Sequence, residues 1–201
     1  MTNENGQANR ATGSAVTASY RPKLAFYHAN PKGTGAAIRF ELHPAHDDVD
    51  GSVFATLANQ LTIGDRRAAQ PVYPRFDWEN SVTVKLDFSD LTKMLQVFRG
   101  ECESIEEGKG LFHQSLRGTT TIKLSHVVEV MPGYVLEIYR GGRPESEASG
   151  RIFFHPNEAL GLAAALESSM GVICFGIPTV IPHDTSSYRN AMKEKRNAPA
   201  A

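Results

Sequence analysis

Twice along this chain, stretches whose apolar side chains recur every second residue give way to one whose apolar side chains recur every three to four. A period of 2 describes a strand with one buried face and a period of 3.6 an amphipathic helix, so the spacing sets the order of elements. In the first cycle KLAFYHA reads as a strand, and GAAIRFELH sets Ala36, Ile38, Phe40 and Leu42 on one face with Ala37, Arg39, Glu41 and His43 on the other. SVFATLANQL is a third strand. SVTVKLDF is the fourth, with Val82, Val84, Leu86 and Phe88 inward and Thr83, Lys85 and Asp87 outward. In SDLTKMLQVFR, Ser89 is the expected N-cap, and Leu91, Met94, Leu95 and Phe98 form the apolar stripe of a helix that Gly100 ends.

The second cycle repeats the plan with GLFHQSL, TTTIKLSHVVEV, GYVLEIYR and GRIFFH, followed by the helix EALGLAAALESSMGVICF, expected to open near Asn157. Ala or Gly stands at Ala159, Gly161, Ala163, Ala164, Ala165 and Gly171, and the helix is apolar around most of its circumference. It is therefore expected to be buried on more than one side, against the first helix, a sheet and a second subunit. The expected fold class is α+β: two antiparallel four-stranded sheets, each followed by a helix, with the helices gathered on one side. Residues 1–19, rich in Asn, Ser, Thr, Ala and Gly, read as a disordered N-terminal arm, residues 20–177 as one folded domain, and residues 178–201 as a mobile basic tail. Arg189, Lys193, Lys195 and Arg196 make that tail either an electrostatic arm or a solubilising one.

Several function classes recede on composition. The 21 Lys and Arg against 22 Asp and Glu leave no bulk charge for binding polyanions, so any nucleic-acid site must be a local patch. No window shows 18 or more consecutive apolar residues, and MTNENGQANRATGS lacks the apolar core of a secretory signal; a cytoplasmic or nucleoid-associated protein with no membrane partner is expected. Cys102 and Cys174 stand without CxxC or CxxH spacing, which argues against a disulfide framework or structural zinc and for buried thiols. HPAHDDVD, with His43, His46, Asp47, Asp48 and Asp50, fits no standard metal spacing and reads as a solvated acidic loop. Glu101, Glu103, Glu106 and Glu107 read likewise. There is no GxSxG nucleophile elbow, and His28, His113, His126 and His155 fall in strands as satisfied or exposed sheet residues. No enzyme activity, cofactor or metal is expected.

From Tyr20 to Phe40 the chain carries Arg21, Lys23, Lys32 and Arg39 and no acidic residue, interleaved with Tyr20, Phe26, Tyr27, His28 and Phe40. Rings on which bases stack, with cations that follow phosphates, are what a single strand of nucleic acid requires. Strand-edge charges that merely keep sheets from pairing edge to edge would look the same. The candidate contacts are Arg21, Lys23, Tyr27, Lys32, Gly33 and Arg39, with Lys85 and Lys123 on later strands.

Read in order, several pieces resemble the Whirly family of single-stranded DNA-binding proteins and, more loosely, its PUR and mitochondrial RNA-binding relatives. Lys32-Gly33-Thr34-Gly35-Ala36-Ala37-Ile38-Arg39-Phe40-Glu41 is similar to the family's KGKAALSVEP signature with one residue inserted. Phe76-Asp77-Trp78 before Ser81 to Leu95 resembles its YDW entry to the fourth strand and first helix. Cys102-Glu103 and, nine residues on, Phe112-His113 resemble a split CEFFH, and Arg151-Ile152-Phe153-Phe154 with the long helix to Gly176 resembles the closing strand and helix. The second lysine of the signature is replaced by Thr34-Gly35, and the family's acidic C-terminal tail by a basic one. The resemblance implies a homotetramer built through Asn157 to Phe175, with single-stranded DNA, or RNA, bound along sheet edges with little sequence preference in DNA maintenance, recombination, repair or transcription. The alternative is a protein-interaction module of the same fold, for which near-zero net charge speaks; a metal-dependent enzyme using HPAHDDVD comes third.

Overall fold

The computed structural model describes residues 23–46, 48–65, 67–115, 118–129, 131–142 and 147–177. The arm expected over residues 1–19, the tail over 178–201, and Arg21 lie outside the described residues. The first sheet holds β1 (Lys23–His28), β2 (Ala36–His43), β3 (Ser52–Thr62) and β5 (Val82–Leu86) in the order β1-β2-β3-β5, all antiparallel. A two-residue strand, β4 (Arg75–Phe76), also pairs with the far end of β3. The second sheet runs β6 (Leu111–Ser115), β7 (Gly118–Val127), β8 (Gly133–Gly141) and β9 (Ala148–Phe154) in sequence order. Helices α1 (Phe88–Phe98) and α2 (Pro156–Phe175) follow the sheets, so the fold is the α+β arrangement read from the periodicity, with β4 added.

Residues opposite each other in an antiparallel ladder point to one face. Ile38, Leu57 and Val82 form such a row in the first sheet, and Leu124, Leu136 and Ile152 in the second; all are buried. Phe26 and Phe154 meet edge to face at 5.2 Å and join the two inner faces. Leu91, Met94 and Leu95 of α1 and Ala159, Leu162, Leu166 and Ile173 of α2 complete one continuous core.

Helix α1 starts earlier than expected. Asp87, not Ser89, is the N-cap: its Oδ1 accepts from Asp90 N at 2.9 Å, while Asp90 Oδ2 accepts from Asp87 N at 3.1 Å. A carboxylate at this place satisfies orphan amides and complements the helix dipole better than a hydroxyl two residues inside. Phe88 thereby becomes the first helical residue, half exposed rather than inward. In α2, Pro156 occupies the first turn and Glu158 Oε2 accepts from His155 N at 2.9 Å. Both thiols expected to be buried are exposed: Cys102 lies in the loop after α1 and Cys174 near the end of α2.

Within one chain α2 buries a single stripe, whereas its composition led us to expect burial on more than one side. Leu160, Ala164, Gly171 and Phe175, spaced along another stripe, are exposed, Leu160 at 73% and Phe175 at 88%. By length and composition α2 would suffice to cross a membrane, at 20 residues and a mean hydropathy of 1.4, which no segment was expected to do. Its buried stripe instead packs into the core directly after β9.

Two histidines tie the halves together crosswise. His28, at the end of β1, lies 2.9 Å from Glu158 Oε1 at the third position of α2, and His113 of β6 lies 3.0 Å from Asp90 Oδ2 at the third position of α1. Each carboxylate thus caps its own helix and accepts a bond from the first strand of the other half. Hydrogen bonds to charged groups contribute about 1.5–3 kcal/mol, and Asp90 is buried. His113→Ala should therefore lower unfolding free energy by about 1–2 kcal/mol near neutral pH, measured by urea denaturation. No change would mean the pair is incidental.

Candidate nucleic-acid interface

The core occupies one face of the first sheet and leaves the other outward. Across that outer face Lys23, Glu41, Phe54 and Lys85 form one row of the ladder, Ala25, Arg39, Thr56 and Thr83 the next, and Tyr27, Ala37 and Ala58 the third. Four expected contacts, Lys23, Tyr27, Arg39 and Lys85, therefore share one face. Lys32 and Gly33 sit in the β1–β2 turn at its end. Lys123 does not join them: it lies on the outer face of the second sheet, opposite Glu137, which pairs with Arg151 at 3.4 Å.

Three rings cover the middle of this face. Tyr27, 62% exposed, meets Phe76 at 5.7 Å and Trp78 at 6.4 Å between centroids. The Arg39 guanidinium carbon stands 4.9 Å from the Trp78 ring, and its Nε lies 3.3 Å from Glu41 Oε1 without hydrogen-bond geometry. Arg39 thus steadies Trp78 by a cation–π contact and is partly neutralised by Glu41. Trp78 is held from behind. Asp77 accepts from Asn80 N at 3.1 Å and from Asn80 Nδ2 at 2.8 Å, and Ser81 Oγ donates to Trp78 O at 2.8 Å. The Asn80 side chain, followed by the Asn80 backbone amide, holds the Asp77 carboxyl below its ordinary pKa. The charged turn is intact through the neutral range, and its contribution is lost only as pH falls through that lowered value.

The turn Asn30 to Gly35 is built around two amide side chains. Asn30 Oδ1 accepts from Lys32 N at 3.0 Å and Thr34 N at 3.1 Å. Gln60 Oε1 accepts from Asn30 N at 2.9 Å and Gly35 N at 3.1 Å, while its Nε2 donates to the carbonyls of Asn30 and Thr62, each at 3.1 Å. Gly33 has φ of +72°, where a side chain would strain the backbone, and a Cβ on Gly35 would stand 2.1 Å from His28 O, where no side chain fits without movement. Lys32 is consequently presented exposed on an ordered turn.

Phe76, Trp78, Asn30 and Gln60 were not among the expected site residues. The Phe76-Asp77-Trp78 triplet marked a place in the chain, but its folding back over the sheet depends on the two-residue β4. Among the described residues, no group of three or more His, Cys, Asp and Glu is placed to hold a metal ion.

No protein-family model matches this sequence, and neither does any curated protein sequence. Solved structures do match. WHY1 from Arabidopsis thaliana superposes over 92% of this chain and 97% of its own at a TM-score of 0.61, with 13% sequence identity. The chain has the Whirly fold. The plant transcriptional regulator PBF-2 covers 92% of this chain and 93% of its own at a TM-score of 0.58 and 14% identity. Trypanosome MRP1/MRP2 covers 77% and 86% at 0.52 and 17%. At such identities the fold is what is shared, and the Whirly architecture is carried here by this chain's own core and caps.

Gln60 is buried and makes four hydrogen bonds. Gln60→Leu strands the amides of Asn30 and Gly35, and unsatisfied buried groups cost about 1–3 kcal/mol. The variant should lose stability of that order by thermal unfolding and broaden the amide resonances of residues 30–35. A turn unchanged by NMR would show that Gln60 is not its anchor.

Proposed function

We propose that this protein binds single-stranded nucleic acid, DNA in preference to duplex and with little regard to sequence, on the outer face of its first sheet. The observation that carries this reading is the ring cluster Tyr27–Phe76–Trp78 on a face edged by Lys23, Lys32 and Lys85. The exposed Tyr27 ring, with half-buried Phe76 and Trp78 beside it, can accept the face of an unstacked base at about 1–3 kcal/mol per base, a gain that duplex cannot offer because its bases already stack. Exposed lysines around the cluster follow the phosphates, which explains how a chain of net charge -1 can hold a polyanion. PBF-2, whose fold it shares, is a plant transcriptional regulator, which accords with a nucleic-acid partner for this chain.

The uncovered stripe of α2 supports a second element of the proposal, self-association through Asn157 to Phe175 into a homotetramer. Only 22% of the helix's apolar window is buried by its own chain, and a Cβ at Gly161 or Gly171 would meet nothing within 4 Å. Small residues on an exposed apolar helix admit another helix at close range.

In an anisotropy titration at two salt concentrations, an oligothymidylate should bind more tightly than a duplex of equal length, and both should weaken as salt rises. Lys32→Ala should lower affinity about evenly across sequences and flatten the logarithmic salt slope by about 1, with stability unchanged. Equal affinity for the two forms refutes the single-strand reading, and salt-independent binding refutes the phosphate contacts. Light scattering should give four times the chain mass; a monomer at micromolar concentration refutes the assembly.

A further inference from the structure

Past Gln60, strand β3 has lost its flanking partners. The β2 ladder ends at the pair Ala36 and Asn59, and the β5 ladder at Leu57 and Val82. The chain nonetheless continues as an ordered two-stranded arm. Arg75 N donates to Thr62 Oγ1 at 3.0 Å, and Asp65 and Val72 exchange backbone bonds of 2.9 and 2.8 Å. Five residues from Gln60 to Asp65 extend about 17 Å at a strand's rise. A ribbon of two strands has no layer behind it, and Leu61, Ile63, Val72 and Tyr73 are all at least half exposed. Four apolar side chains held in water on one short, ordered arm mark a surface that a partner covers.

Charge and position say which partner. Arg67 and Arg75 are exposed on the arm, and Asp65, whose Oδ1 accepts from Arg67 N at 2.8 Å, is the one acidic residue between Leu61 and Arg75; this surplus of positive charge points to an anionic partner. The root of the arm adjoins the lysine turn: a Cβ on Gly33 would meet Ile63 Cγ1 at 3.6 Å. Through Phe76 the arm also runs into the Tyr27–Trp78 cluster. Resting on the single-strand reading above, we propose that this arm is a second wall of the binding groove, where Ile63, Tyr73 and their apolar neighbours receive unstacked bases and Arg67 and Arg75 follow phosphates.

The test uses the full chain and a fluorescein-labelled oligothymidylate of about thirty nucleotides. The double variant Ile63→Ser/Tyr73→Ser should lose about tenfold in affinity, as expected for one or two lost stacking contacts, with the salt slope unchanged. Arg75→Gln should lose affinity and flatten the slope by about 1. Wild-type affinity in the double variant, alongside weakened binding by Tyr27→Ser, overturns the arm's role and leaves the sheet face standing. Unchanged affinity with a lower mass in light scattering assigns the arm to a contact between copies and overturns it too. Failure of the wild-type chain to bind the oligonucleotide overturns the single-strand reading and the inference with it. Photocrosslinking of bromodeoxyuridine oligonucleotides to the wild-type chain needs no variant. Crosslinks within residues 61–75 are expected, and crosslinks confined to Tyr27 and Trp78 would refute the arm.

Discussion

A sheet that buries one face in a shared core leaves its other face to solvent or to a partner, and this constraint organises the molecule. Ile38, Leu57 and Val82 on one side and Leu124, Leu136 and Ile152 on the other close over the two helices as a single core. The alternation that sends those side chains inward sends Lys23, Tyr27, Arg39 and Lys85 outward together. Core and candidate interface are thus two consequences of one period. A register slip of a single residue would exchange them.

The two halves are held in mutual position by the helix caps. Asp90 and Glu158 each satisfy the start of their own helix and bind a histidine from the first strand of the other half. His28 ends β1, one residue before the segment that leads into the lysine turn. The anchoring of β1 against α2 therefore also fixes where that turn begins. Gln60 completes the arrangement from β3, so Lys32 is carried by three elements rather than by a free loop.

Most of the strand order and both helices were legible in the sequence because each has one clean period. The errors lie where the period changes. Phe88 continues the alternation of β5, yet Asp87 and Asp90 form a capping box that ends the strand first. β4 is only two residues long and casts no periodic signal, which is why Trp78 could be noticed in the sequence without its place over Arg39 being foreseen. The candidate site was legible in type, since basic and aromatic residues cluster between Tyr20 and Phe40. Which of them meet was not. Lys123 sits on the other sheet, Arg39 is engaged by Trp78 and Glu41, and the exposure of Cys102 and Cys174 is decided by tertiary packing that their spacing does not encode.

Trp78 is the sole tryptophan of the chain and lies within the ring cluster, so its fluorescence reports on the proposed site without a label. Titration with an oligothymidylate should change the Trp78 emission saturably, with the midpoint moving to higher concentration as salt rises, and duplex of the same length should produce little change. A single strand that binds tightly by anisotropy while leaving the Trp78 emission unaltered would contradict the placement of the interface on the outer face of the first sheet.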